Sequence, residues 1–222
     1  MRKVWQNYLS ESPTIKVFLL YGKGTSFKRE SYDLVYDEIE ENYNPGMIKK
    51  TIKAMKYIYD TLSFDFFIRT NISTFWNFMM LLRNLNHLPS TSCYSGDGRL
   101  LENGVFAGFQ DAYLSGTDTI VNAYMVKQFI DLENNINLIV PEDHAMGLIF
   151  NGILKAPFRK SKIKFMEKIP DNDSIIIEEI FHGISIGADH YRVKNFYDRN
   201  KIDPKVFKHL LQIIYGKTMT DL

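Results

Sequence analysis

The chain has little of three features that would assign a protein to a class at once. Its 222 residues include one cysteine, Cys93, which excludes an internal disulfide framework and favours a reducing compartment. Its 27 basic and 26 acidic residues leave a net charge of +1, so no bulk charge favours nucleic acid or an anionic membrane as a partner. It has no run of about 18 apolar residues and no recognisable signal peptide. We therefore expect a cytoplasmic protein without a membrane span, which would lie in the host cytoplasm if the chain is viral.

The pattern that is present is that of an α/β protein. Residues 1–222 fit one domain, and 45% hydrophobic and 14% aromatic content can build one sizeable core. Predicted strands alternate with predicted helices, which favours a three-layer α/β/α sandwich around a mixed, mainly parallel sheet. Further predictions are a helix capped by Asp118, an edge strand over Ile175–Ile177, and a last helix starting at Asp203-Pro204.

The most informative stretch runs from Asn42 to Leu85. Pro45 is predicted to open a helix with lysines on one face and an apolar stripe on the other, namely Ile48, Ile52, Met55, Tyr59 and Leu62. A buried strand is predicted over 64–68, followed by a polar tip over 69–73. A second helix is predicted to begin near Thr74. Ligands of α/β sheets bind outside the carboxyl ends of the strands, so the tip is where we expect a site.

A shorter glycine-containing segment follows the predicted strand Ile15–Tyr21. It reads Gly22-Lys23-Gly24, and two interpretations stay open. The glycines could let a phosphate approach the backbone, or the segment could be an ordinary turn.

The order of these segments resembles that of nucleotide-sugar glycosyltransferases of the GT-A fold, most closely the β-1,3-galactosyltransferase-like group (family 31). Four pieces match the group's motifs in sequence order: Arg2–Trp5 with Val17–Gly22, Asn42–Asn44 with Lys50 and Thr51, Phe67–Phe75, and Ala112–Ser115 with Glu142, Asp143 and Gly147. The tip itself is similar to that of a viral and bacterial variant of the group.

The resemblance implies a hexosyltransferase that moves a sugar from a UDP-sugar or GDP-sugar to a hydroxyl of a glycan or protein acceptor. By this resemblance the reaction inverts the anomeric carbon, with Asp143 as general base and Glu142 as the substitute candidate. His190 resembles a late histidine that helps hold the metal and diphosphate. Arg192 and Lys194 lie two residues apart on an extended segment, so their side chains would point the same way. Two cations on one face suit a diphosphate.

The tip departs from the family pattern. Asn71, Ile72 and Ser73 stand where the family has acids, and Asn71 has a second interpretation as the cap of the next helix. Mn²⁺ or Mg²⁺ prefers hard oxygen ligands with at least one carboxylate, so a metal held by Asn71, Ser73 and His190 would bind weakly. Two alternatives stay open. In the first, Arg69, Arg192 and Lys194 replace the metal and bind the diphosphate as a cationic clamp. In the second, the domain is catalytically silent and binds carbohydrate or a partner protein.

The front of the chain also departs from the family. GT-A domains usually begin with a strand that precedes the Arg…Trp helix and shapes the nucleoside pocket, but only four residues precede Trp5. Either the true start lies upstream of Met1, or the sheet lacks its first nucleotide-binding strand.

Overall fold

A computed structural model describes residues 12–24, 32–100 and 112–218 as a mixture of helices and strands, which confirms the α/β class. The strands are β1 Leu19–Tyr21, β2 Asp33–Val35, β3 Phe66–Thr70, β4 Thr74–Trp76, β5 Tyr94–Leu100, β6 Ala112–Asn122, β7 Phe158–Lys160, β8 Ile163–Phe165 and β9 His190–Arg192. The helices are α1 Gly46–Thr61, α2 Phe78–Leu85, α3 Ala123–Asp131, α4 Glu142–Gly147, α5 Asp173–Ser185 and α6 Arg199–Tyr215, with a 3₁₀ turn at Glu133–Asn135 and a π-helical turn at Leu148–Ile153. No described helix is both long enough and apolar enough to span a membrane.

The described strands lie in three sheets rather than in the one sheet expected. β1 and β2 pair in parallel. A second sheet has the order β3-β6-β5-β7, in which β5 is antiparallel to β6 and parallel to β7. A third has the order β4-β9-β8, with β9 antiparallel to β4 and parallel to β8. The third sheet arises because residues 74–76, predicted to open a helix, instead form the strand that pairs with β9.

The described chain divides into two compact units. The central unit comprises 17–24, 32–69, 89–100 and 112–160, and the terminal unit comprises 12–16, 70–88 and 161–218. Arg2–Trp5, which begins the first of the matched motifs, lies outside the described residues. That 1–222 forms one glycosyltransferase-like domain stays a prediction.

The core of the central unit is built mainly on α1 and α3. Ile48, Ile52 and Met55 are buried on α1, as the helical period predicted, whereas Tyr59 is 37% exposed and Ile58 is buried in its place. Aromatic rings continue this core, since the Phe129 and Phe150 centroids lie 5.0 Å apart in a stacked arrangement. Ala145 and Met146 of α4 belong to the same cluster as the buried residues of α1, so α1 and the helix that carries Glu142 and Asp143 share one core.

In the terminal unit, helices α5 and α6 pack against side chains of the third sheet. The Phe75 ring of β4 lies 6.1 Å from Phe207 and 5.8 Å from Tyr215, both on α6. Tyr191 of β9 is fully buried and lies against Gly183 of α5. Neighbours in a strand point to opposite faces, so His190 and Arg192 belong to the other face of β9.

Three predictions, two of helix starts and one of an edge strand, are wrong, and the observed helix caps show why. Asp118 lies inside β6, and α3 begins later, where the Asn122 side chain accepts a hydrogen bond from Met125 N at 3.0 Å. Asn77, rather than Asn71, caps α2 by accepting from Met80 N at 3.2 Å. Residues 175–177 belong to α5 rather than to a strand, because Asn172 caps this isoleucine-rich segment as a helix.

Candidate functional site

Asp143 lies in the first turn of the short helix α4, directly after Pro141-Glu142. Its Oδ2 accepts a hydrogen bond from the Gly116 N–H of β6 at 3.2 Å, and its Oδ1 accepts from His144 N at 3.1 Å. The side chain is half-buried. The carboxylate is therefore held by backbone donors in a residue that keeps part of its surface open to solvent. A general base must come within hydrogen-bond reach of the proton it removes, and this placement allows such an approach.

Glu142, the neighbouring acid, is placed very differently. Its side chain is 3% exposed and is held by the guanidinium of Arg69, whose Nε lies 3.0 Å from Oε1 and whose Nη2 contacts Oε2. The Thr51 hydroxyl also donates to Oε1. These contacts compensate the buried charge, so Glu142 serves to position the start of α4 in this structure.

Arg69 binds a second group beside its ion pair. Its Nη1 donates to the Gly116 carbonyl oxygen, and Gly116 in turn donates its N–H to Asp143. Arg69 and Glu142, both predicted as site residues, are thus brought together and linked to Asp143 through one glycine. The side chain of Arg69 is 10% exposed, and its predicted role in binding a diphosphate stays a prediction.

Three aromatic or imidazole side chains near these acids were given no role from the sequence. Tyr43 is 61% exposed, and burial of part of the side chain raises its pKa, with Asp143 adding to the rise and Arg69 opposing it. The rings of Tyr113 and His144 lie edge to face, with their centroids 3.8 Å apart. An exposed tyrosine such as Tyr43 offers a flat apolar surface and a hydrogen-bonding group together. In the sequence, the feature that could have indicated Tyr43 as a site residue is its position within the Asn-Tyr-Asn motif.

In the terminal unit, the polar tip forms a tight turn between β3 and β4. Thr74 N donates to the Asn71 carbonyl at 3.0 Å, Ile72 is 46% exposed, and Ser73 is buried. The Ser73 hydroxyl accepts a hydrogen bond from Arg192 Nη1 at 2.5 Å, and Val193 N donates to the Ser73 carbonyl at 2.8 Å. The structure thus brings together two predicted diphosphate-binding residues, Ser73 and Arg192.

Burial alternates along the segment that follows His190. Tyr191, Val193 and Asn195 are buried, whereas Arg192 is half-buried and Lys194 is exposed. Arg192 and Lys194 therefore emerge from the chain on the solvent-facing side. The two cations are two residues apart, and both are open to solvent at least in part.

His190 is fully buried, unlike the two cations that follow it. Its Nδ1 lies 2.5 Å from Asp189 Oδ1, and Asn84 donates to the other oxygen of Asp189 at 2.7 Å. The imidazole stacks on the Trp76 indole with centroids 4.5 Å apart. With the ring covered in this way, its predicted contact with a metal or a diphosphate stays a prediction.

Within residues 12–24, 32–100 and 112–218, no three His, Cys, Asp or Glu side chains are grouped so that they could hold a metal ion. Comparison with protein-family models and with curated proteins finds no match to this chain.

Proposed function

We propose that this chain is an inverting glycosyltransferase with a variant of the three-layer GT-A fold. Its donor would be a UDP-sugar or GDP-sugar, and its acceptor a hydroxyl group of a glycan or protein. The proposal is supported by the ordered motifs in the sequence and by the α/β architecture. The observation that carries it is the placement of Asp143.

We assign the base to Asp143 rather than to its neighbour Glu142. The Asp143 carboxylate is fixed by Gly116 N–H and remains half-exposed, whereas Glu142 is buried and neutralised by Arg69. Tyr43 lies close enough for the Asp143 charge to act on its phenol and is largely exposed. A sugar ring could stack on Tyr43 while one of its hydroxyls approaches the carboxylate.

The reaction we propose is a single displacement. The acceptor oxygen forms a bond to the anomeric carbon of the donor while the bond from that carbon to the diphosphate oxygen breaks. The nucleoside diphosphate leaves with the bonding electron pair, and the acceptor proton passes to Asp143. Because the attacking oxygen approaches opposite the leaving group, the anomeric configuration inverts.

The leaving diphosphate gains negative charge, which cationic side chains would stabilise. The cations that the resemblance implies for binding a diphosphate are Arg192 and Lys194 of the terminal unit, and we propose this binding on its own. Arg69 is left out of this assignment because Glu142 already compensates its charge. The tip does not fit a divalent cation: Asn71 and Ser73 supply no carboxylate, the Ser73 hydroxyl is hydrogen-bonded by a guanidinium, and His190 is fully buried. No step of the proposed reaction therefore uses a metal.

The assignment of the base is tested by Asp143→Asn, which keeps the shape of the side chain and removes its charge. We expect transfer, measured as acceptor-dependent release of UDP or GDP across a panel of nucleotide sugars, to fall by at least about 100-fold. Donor affinity should change little. Asp131→Asn is the matched control, since Asp131 is an exposed acid on α3 that pairs with Lys127 one turn away. Turnover retained by Asp143→Asn would show that the base is another group.

The cationic clamp is tested by calorimetry with UDP and GDP, each with and without Mn²⁺. We expect binding that does not need the metal and that weakens about tenfold or more in Arg192→Ala. Arg83→Ala is the control, because Arg83 is an exposed arginine of the same unit on α2. An equal loss in both variants, or binding only with Mn²⁺, would contradict the clamp.

The second candidate is a catalytically silent domain that binds carbohydrate or a partner protein. It is favoured by the absence of acids at Asn71-Ile72-Ser73 and by the engagement of Ser73 with Arg192. The panel of nucleotide sugars separates the two candidates. If no nucleotide sugar binds and a glycan does, with Tyr43→Ala weakening that binding, the silent domain is the better assignment.

A further inference from the structure

Glu41 lies over the carboxyl end of the small parallel sheet in the central unit. One oxygen, Oε2, accepts a hydrogen bond from the backbone N–H of Gly22 at 2.5 Å. The other, Oε1, lies 2.5 Å from the ammonium of Lys50. Gly22 directly follows β1, and Lys50 lies near the start of α1. One carboxylate thus bridges a strand end and a helix.

Lys50 and Glu41 differ in how far their side chains are buried. The Lys50 side chain is 7% exposed, whereas the Glu41 side chain is 53% exposed. A buried ammonium is costly unless an anion accompanies it. The anion that accompanies Lys50 is therefore a solvent-facing side chain on a loop, which can leave its position more easily than the lysine can.

The backbone at Gly22 is shaped to let an anion come close. A Cβ atom at this position would lie 2.6 Å from Glu41 Oε2 and 2.6 Å from the Ile39 carbonyl oxygen. Any side chain at residue 22 would therefore displace the carboxylate. Tyr21 pairs with Val35 in the parallel register, so Gly22 continues from the edge where α/β sheets bind ligands.

We propose that the Gly22 N–H and the Lys50 ammonium form a binding site for the phosphate group of a small molecule, and that the Glu41 carboxylate occupies this site when the ligand is absent. Carboxylate and phosphate present pairs of oxygens with similar geometry, so both can use the same two donors. A phosphate would replace Glu41, and Glu41 would turn to solvent.

This inference is independent of the proposed transfer reaction, because it concerns the binding of a phosphate group whatever reaction follows. Of the two interpretations of Gly22-Lys23-Gly24, it favours an anion site with one of its donors on α1. The neighbouring Lys23 is not needed: its ammonium pairs with Glu40, and both side chains are more than half exposed.

The test measures binding of inorganic pyrophosphate by calorimetry to the full chain and to Glu41→Ala. We expect Glu41→Ala to bind pyrophosphate about tenfold more tightly than the unaltered protein, because the competing carboxylate has been removed. Glu40→Ala is the matched control, since it deletes an adjacent acid with an exposed partner, and it should bind as the unaltered protein does. Adding Lys50→Met to Glu41→Ala should abolish the gain.

A second readout locates the bound anion. On titration with pyrophosphate, the backbone amide resonance of Gly22 should shift in Glu41→Ala. If Glu41→Ala does not fold, Glu41→Gln removes the charge while keeping the side chain, and it should also bind pyrophosphate more tightly. Equal affinities of the Glu41 and Glu40 variants, or tighter binding without a shift at Gly22, would overturn the proposal.

Discussion

The ion pair between Arg69 and Glu142 offers the sharpest test of how the central unit is held together. The two side chains are 10% and 3% exposed, so neither charge is well solvated. Arg69→Met keeps most of the side-chain volume and removes the cation. Glu142 would then be a buried carboxylate with the Thr51 hydroxyl as its remaining side-chain donor among the contacts described above.

We expect Arg69→Met to lower the free energy of unfolding by about 3–5 kcal/mol, the usual cost of leaving one partner of a buried pair uncompensated. For a chain of this size each kcal/mol corresponds to about 2–4 °C in Tm, so the midpoint should fall by about 6–20 °C. The double variant Arg69→Met/Glu142→Leu removes both charges and should be more stable than Arg69→Met alone.

Urea denaturation followed by circular dichroism gives these free energies directly. Lys127→Met serves as the control, because it breaks an exposed pair whose side chains are 44% and 48% exposed and should cost less than about 0.5 kcal/mol. If Arg69→Met costs no more than the control, or if the double variant is less stable than Arg69→Met, then the pair does not compensate a buried charge and the reasoning fails.

Two further predictions concern the terminal unit. Gly183→Ala should destabilise by about 1–3 kcal/mol, because a Cβ would lie 2.4 Å from the Tyr191 ring; thermal unfolding measures this, and Gly152→Ala, with no atom within 4 Å of the added Cβ, should cost nothing. Burial raises the pKa of Tyr191 to about 12, whereas an unfolded tyrosine titrates near ~10, so the stability it contributes is complete below about pH 10 and is lost as the pH rises towards 12. Urea midpoints across this range should fall less steeply in Tyr191→Phe.

Each of these two has a result that would contradict it. Equal stabilities of Gly183→Ala and Gly152→Ala would mean that the Tyr191 ring moves aside at no cost. Identical alkaline profiles for Tyr191→Phe and the unaltered protein would mean that the phenol is hydrated in the folded state.

The sequence predicted the local periodicities well and the pairings poorly. The apolar face of α1 was read from Ile48, Ile52 and Met55, because a helical stripe is visible in any short window. Residues 112–122 were read partly as a helix since their Thr- and Val-containing run has no decisive period, and the cap at Asn122 looks no different in sequence from Asp118. Local propensity gives way there to pairing with β5.

For the candidate site, the sequence singled out two acids but did not indicate which groups they contact. Asp143 and Glu142 were singled out together, but nothing local distinguishes the half-exposed one from the buried one. That distinction depends on Arg69, which is 73 residues away from Glu142. Likewise nothing local in the sequence indicates the role of Glu41, since its contacts to Gly22 and Lys50 exist only after β1 and α1 come together.

The division of the chain into two units has a consequence for synthesis on the ribosome. The central unit ends at residue 160, whereas β4, at residues 74–76, belongs to the terminal unit and pairs with β9 at 190–192. After residue 76 and before residue 190 have been translated, the Thr-Phe-Trp segment has been made but its partner strand has not. More than 100 further residues are translated between Trp76 and β9, and Phe75 and Trp76 lack their partner strand throughout this interval. Hydrophobic segments that are unpaired for such a time favour chaperone binding and aggregation.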